Sequence, residues 1–226
     1  MSLEGRWLRS LALLVVDTGR LSRAWLTGRR QRFLRPFSLF LLVNLIFFVA
    51  PPMTDFDLAL SDHLGQPVYG DWATEQVRGQ LEEEGVQFEA LQERYAGASS
   101  NVAKSLVVLH VPVLALFLWA AFFGRRWTVA EHVVVALHLF GFVLLAAMLL
   151  GWIVFPAATA VLGAEPSPAL TAGPVLLVAW WRALGRSYGS GRWHVAALLV
   201  VAVLGLAVSH FFYRGVQFAL VFRLIS

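Results

Sequence analysis

Five long apolar runs punctuate the chain, over residues 34–50, 105–123, 129–155, 169–184 and 193–212, and most of its charge falls between them. A helix of about 20 residues crosses a ~30 Å hydrocarbon core, so each run is predicted to be a transmembrane helix. The first is well bounded. Pro36 suits the opening turn, where a missing N–H costs nothing, and Pro51-Pro52 stops it. Pro156 is the expected stop of the third, and Pro174 a kink within the fourth. Residues 213–226 either extend the fifth helix or lie along the interface.

The polar stretches also carry periodicity. In residues 1–27, Leu3, Trp7, Leu11, Leu14, Leu21 and Trp25 recur at helical spacing, with Arg6, Arg9, Arg20 and Arg23 between them. This predicts one or two basic amphipathic helices, broken near Thr18-Gly19, lying on a membrane surface; an ordinary cytoplasmic helix is the alternative. A signal peptide fits poorly, because the apolar core at 11–16 is short and Asp17 stands where a small-residue cleavage site belongs. Asp55, Asp57, Asp62 and His63 lie in a loop-like stretch. From 74 to 95, Val77, Leu81, Phe88, Leu91 and Tyr95 make one helical stripe, and Glu82, Glu83, Glu84, Glu89 and Glu93 a wet face. About 50 residues is near the lower limit for independent folding, so 53–103 reads as a helical cap on the membrane domain. A coiled-coil strand is the rival, weakened by Glu84 at a seam position.

Composition moves the picture firmly to the membrane. The 226 residues are 58% hydrophobic and 14% charged, where soluble domains carry about 45–50% and about 25%. The net charge of +4 hides an asymmetry. Residues 1–35 hold eight Arg against Glu4 and Asp17, while 51–104 hold ten acids against Arg78, Arg94 and Lys104. Basic residues precede the first run and fall between the second and third and the fourth and fifth. That alternation predicts a cytoplasmic N-terminus, an extracytoplasmic acidic loop and an extracytoplasmic C-terminus, with Arg214 and Arg223 as exceptions in a short outer tail. Arg29, Arg30, Arg32 and Arg35, beside an apolar helix, read as a topology anchor touching anionic lipid, at about 1 kcal/mol per residue, more than as a nucleic-acid surface. The absence of Cys excludes disulfides, thiol catalysis and Cys-ligated zinc.

Ionisable groups inside a bilayer are costly and so are the functional candidates. Counting helix rise from the predicted inner ends, Glu131 and His132 lie near the inner interface, Asn44 about 12 Å in, His138 about 15 Å and His110 about 20 Å. Asn44, His110, Glu131, His132 and His138 form a candidate intramembrane polar network between the first three helices. It reads either as a proton relay or polar substrate site, or as interhelical hydrogen bonds. Glu131 is also a first-turn acid that favours its helix N-terminus. No His-x-x-x-His, nucleophile elbow, P-loop or dinucleotide fingerprint is present, so no metal, cofactor or catalytic residue is expected.

The stretch Thr27-Gly28-Arg29-Arg30-Gln31-Arg32-Phe33-Leu34-Arg35-Pro36-Phe37 entering an apolar helix, Glu131-His132 opening a helix with His138 inside it, and the turn Arg186-Ser187-Tyr188-Gly189 together resemble a bacterial membrane family catalogued as domain of unknown function 3667. The resemblance covers roughly residues 15–220. Many members carry a Cys-rich, zinc-ribbon-like segment ahead of the first helix; this chain lacks it, so no zinc role carries over. The resemblance implies a bacterial cytoplasmic-membrane protein without an assigned activity, in which Arg186, Tyr188 and Gly189 form a family-like turn.

The expectation is an all-α polytopic membrane bundle of about five helices. Residues 1–33 form a cytoplasmic basic segment, and 34–226 a transmembrane domain interrupted by the cap at 53–103. The function expected is a non-catalytic component that associates with membrane lipids, a membrane-protein partner or a second copy. Proton-coupled or small-molecule transport through the polar network is the alternative.

Overall fold

A computed structural model describes residues 3–49, 58–122, 127–163 and 167–226. Pro51-Pro52, Asp55, Asp57, Arg125-Arg126 and Glu165 lie outside the described residues. The fold is all helical, with no strand among the described residues. Among the described residues, four helical stretches are long and apolar enough to cross a membrane: Arg30–Val49, Phe88–Ala121, Val129–Val161 and Arg192–Ile225. The chain therefore has the make-up of an all-α, polytopic membrane protein. The other predicted span is an unbroken helix, Pro168–Tyr188, but Arg182 and Arg186 in its last turns shorten its apolar run.

The chain divides into two compact units. The first comprises residues 1–53 and 111–205. Its N-terminal segment is two helices, α1 (Leu3–Val16) and α2 (Thr18–Leu26). The break falls at Asp17, whose side chain caps α2 by accepting from the Arg20 N–H at 3.0 Å. Both helices enter the core of this unit, with Leu14 and Leu21 almost wholly buried. Then come a short 3-10 turn at Arg30–Arg32 and α3 (Pro36–Val49). Leu39, Phe40, Val43 and Phe47 are the buried side of α3, and Phe40 meets Phe140 with ring centroids 6.2 Å apart. Lipid tails are as apolar as these side chains, so close packing and hydrogen bonds, more than burial, hold such helices together.

Further along lie α4 (Leu60–Leu64), α5 (Gly70–Glu84), α6 (Phe88–Leu106), α7 (His110–Ala121) and α8 (Val129–Leu149). The helix that opens with α8 does not stop at Pro156. It widens into a π turn at Leu150–Val154 and continues as α9 (Phe155–Leu162), with Pro156 at its start. A proline lacks a donor and crowds the carbonyl one turn back, and a wider turn accommodates both defects. The last helices are α10 (Pro168–Tyr188) and α11 (Arg192–Ile225). Ser187 and Tyr188 belong to α10, and the turn begins at Gly189 in the left-handed conformation (φ 63°).

The second unit comprises residues 54–110 and 206–226. The helix expected over 74–95 is two helices. Gly85, in the left-handed conformation (φ 65°), ends α5, and α6 starts at Phe88. The tail beyond residue 213 continues α11 to Ile225 as one helix. It supplies Phe218, Val221 and Phe222 to a core with Leu60, Ala73, Val77, Leu91 and Tyr95. On the wet side Arg94 pairs with Glu84. The hydrogen bonds from Arg94 and Gln80 hold the Glu84 carboxyl below the usual carboxylate range.

Candidate functional site

The structure gathers arginines from two distant parts of the sequence around one pocket of about 950 Å³ in the first unit. Arg20 and Arg23 stand three apart on α2 and so share a face. Arg29 and Arg32 come from the following loop, and Arg186 from the last turn of α10. Among the described residues, Asp17 is the one carboxylate in the lining.

The loop is held in place by α1. Ser10 Oγ donates to the Arg6 carbonyl at 2.7 Å and accepts the Leu34 N–H at 2.9 Å. Arg6 Nη2 donates to the Phe33 carbonyl at 2.9 Å. Gly28, at φ 79°, lets the chain turn sharply off the end of α2. Two of the arginines are tied to the protein: Arg186 to the Asp17 carboxylate in an ion pair, and Arg23 Nη1 to the Ser187 carbonyl at 3.2 Å. Among the described residues, no hydrogen bond or ion pair holds the side chain of Arg20, Arg29 or Arg32. Three guanidiniums are thus available to an entering anion. A guanidinium presents paired donors matching the geometry of a phosphate or carboxylate.

Of the anchor residues read from the sequence, Arg29 and Arg32 face this pocket, while Arg30 and Arg35 line a separate one with Arg6, Trp25 and Phe37. The residues expected to form a family-like turn contact other elements of the unit. Arg186 pairs with Asp17. The Tyr188 hydroxyl hydrogen-bonds His132 Nδ1 at 2.8 Å. A Cβ on Gly189 would stand 3.5 Å from Arg23 Nη1, on a backbone that side chains rarely adopt.

The polar network is distributed over separate partners. His138 Nδ1 bonds Ser22 Oγ at 3.0 Å, joining α8 to α2. His132, with Tyr188, joins α8 to α10. Glu131 completes a capping box, its Oε2 accepting from Thr128 N at 2.7 Å and from Thr128 Oγ1 at 2.9 Å. Asn44 lies half-buried on α3. His110 belongs to the second unit; its Nδ1–H donates to the Val107 carbonyl at 3.0 Å, and its ring lies tilted against those of His210 and Tyr213. Among the described residues no three His, Cys, Asp or Glu side chains form a metal-binding group.

Sequence reasoning missed Asp17, Arg20 and Arg23 as members of one site with Arg186. The signal available was Asp17 itself, one of two acids in an eight-arginine stretch. No curated protein and no solved structure matches the chain. The matching family model spans α1, α2, the arginine loop and most of α3, and stops short of Glu131-His132 and Arg186–Gly189. Over residues 4–48 the chain is thus similar to the family described as "Protein of unknown function (DUF3667)".

Proposed function

We propose that the protein is a non-catalytic membrane component that associates with anionic lipid through its basic N-terminal face. The observation that carries this reading is the pocket itself: five arginines against Asp17, three of the five without a protein partner among the described residues. Its position supports the ligand class. The arginine loop runs directly into the apolar stretch Arg30–Val49, so the pocket is one short loop from a candidate membrane span. Lipid phosphates are the most abundant anions at that boundary, and each basic residue near them contributes about 1 kcal/mol.

The charge asymmetry supports an orientation in a bacterial inner membrane with residues 1–33 cytoplasmic and 53–103 and the C-terminus extracytoplasmic. A topology reporter fused after Gln66 should then signal from outside the cytoplasm; a cytoplasmic signal would overturn the orientation.

The lipid reading is tested by native mass spectrometry of the detergent-extracted chain titrated with phosphatidylglycerol. The double variant Arg29→Gln/Arg32→Gln should bind about thirtyfold more weakly, the equivalent of about 2 kcal/mol for two basic residues. The loss should shrink as salt is raised. Binding equal to that of the natural chain would remove the proposal.

A further inference from the structure

The basic pocket has an apolar neighbour. A second cavity in the same unit, about 540 Å³, is lined by Val15, Phe142, Leu149, Leu150, Val175 and Val178. Asp17 lines both cavities. Arg182 reaches the apolar one and Arg186, one turn on along α10, reaches the basic one. Positions four apart share a helix face, so one side of α10 forms a wall of each.

The junction between them is tight. A Cβ on Gly19 would lie 2.7 Å from the Ala183 carbonyl oxygen, so α2 and α10 touch backbone to backbone there. Two of the walls of the cleft, α10 and the helix that opens with α8, carry an irregularity beside it. The π turn begins at Leu150, and Pro174, inside α10, withholds its N–H from the helix ladder. Such interruptions are frequent at functional sites in helices.

We propose that the two cavities are the two halves of one lipid site: an acyl chain lies in the cleft and a headgroup carrying more than one negative charge, a phosphomonoester, sits among Arg20, Arg29 and Arg32. This rests on the lipid-associating reading above and deepens it. The charge count selects the headgroup. Asp17 offsets Arg186, which leaves four guanidiniums without a counter-charge among the described residues, and three of them, Arg20, Arg29 and Arg32, also without a hydrogen-bond partner there. A phosphodiester brings one negative charge, whereas a phosphomonoester brings about 1.5 to 2 near neutral pH. The cleft selects a chain: its lining is mostly aliphatic and aromatic, with Asp17 and Arg182 the only charged members among the described residues.

The test uses the full chain and two lipids with identical acyl chains, dioleoyl phosphatidic acid and dioleoyl phosphatidylglycerol, at pH 7.5. Glycerol 3-phosphate serves as the headgroup without the chain. Native mass spectrometry should show one phosphatidic acid per chain, bound about tenfold more tightly than phosphatidylglycerol, a ratio equivalent to about 1.4 kcal/mol. Glycerol 3-phosphate should bind at least about a hundredfold more weakly than phosphatidic acid, reflecting the lost apolar contact. Val178→Trp, at an exposed cleft position, should weaken phosphatidic acid about tenfold, matching the loss of a few buried methylenes, and leave glycerol 3-phosphate unchanged. Val175→Trp fills the same face if the first variant misfolds, and the comparison of ligands on the natural chain decides if both do.

Equal binding of the two lipids, both lost in Arg29→Gln/Arg32→Gln, would end this inference and leave the simpler lipid reading standing. Glycerol 3-phosphate binding as tightly as phosphatidic acid would make the pocket a site for a soluble phosphate. Retention of both lipids by the arginine variant would end both proposals.

Discussion

Gly19→Leu is expected to destabilise the protein by about 3 kcal/mol, through the overpacking of a contact that has no room to give. The first atom of any side chain at this position would stand 2.7 Å from the Ala183 carbonyl oxygen, 2.8 Å from Ala183 Cα and 2.8 Å from Arg186 Cβ. Two of those three are backbone atoms, so a rotamer change cannot relieve the clash and α2 must lift away from α10. That movement would also part Asp17 from Arg186 and open the basic pocket. Small residues at helix contacts let backbones approach in this way, and membrane helices use them widely. Gly19→Ala decides the matter by its sign. In an unconstrained helix, Gly→Ala stabilises by about 1 kcal/mol. Gly97, inside α6 with open space around its Cβ direction, should show that gain. Gly19→Ala should show a loss. Thermal unfolding in detergent reads both, and a Gly19→Ala variant as stable as Gly97→Ala would mean that α2 does not pack on α10.

The apolar runs were legible because bilayer-length hydrophobicity is a local property. Four of the five correspond to stretches long and apolar enough to span, and α3 starts at Pro36 as the sequence indicates, while Glu131 stands in the first turn of α8. The places where the sequence misled are those where a local stop signal meets a compensation from elsewhere. Pro156 reads as an end, yet a π turn absorbs it. The stripe through 74–95 reads as one helix, yet Gly85 breaks it and the stripe belongs to two helices sharing a core. The tail at 213–226 left two choices open, and its partners, Leu60, Leu91 and Tyr95, are more than 100 residues away. The same limit applies to the site. Helix rise gives the depth of His138 and Glu131 along α8, but the choice of partner is an angular matter. His138 turns to Ser22 and His132 to Tyr188, while Glu131 folds back on Thr128. The basic pocket joins Asp17 to Arg186 across 169 positions, and no periodicity announces such a pairing.

His63 makes the second unit acid-sensitive, and its effect should be large. It is fully buried beside the core of that unit. Its Nδ1 hydrogen-bonds the Tyr69 hydroxyl at 2.7 Å and its Nε2 the Tyr95 hydroxyl at 2.9 Å, while Tyr95 and Phe218 pack against the ring. A neutral imidazole suits two phenols, one donating and one accepting; a charged one requires both to accept. Burial, then the positive charge of Arg214, push its pKa down to about 4, with Asp62 opposing them weakly. In the unfolded chain the same group titrates near 6.5. Above pH 6.5 both states hold it neutral and its contribution is constant. Between pH 6.5 and about 4 the unfolded state binds the extra proton, so stability falls as pH falls, by about 2–3 kcal/mol in all. Hydrogen exchange across α5 and α6 at pH 7.5 and pH 4.5 should therefore report faster opening in acid, beyond the intrinsic change of exchange rate. His63→Leu should flatten that difference, although Tyr69 and Tyr95 lose their hydrogen bonds to the ring, which lowers stability at both pH values. Tyr95→Phe should keep the acid sensitivity and cost about 1–3 kcal/mol at either pH, because it leaves a ring nitrogen buried without its partner. Glu84, whose carboxyl titrates low, also loses its pairing in acid, and the comparison with His63→Leu separates the two. An acid dependence unchanged in His63→Leu would assign it to Glu84 and the other carboxylates, and would leave His63 as a packing residue only.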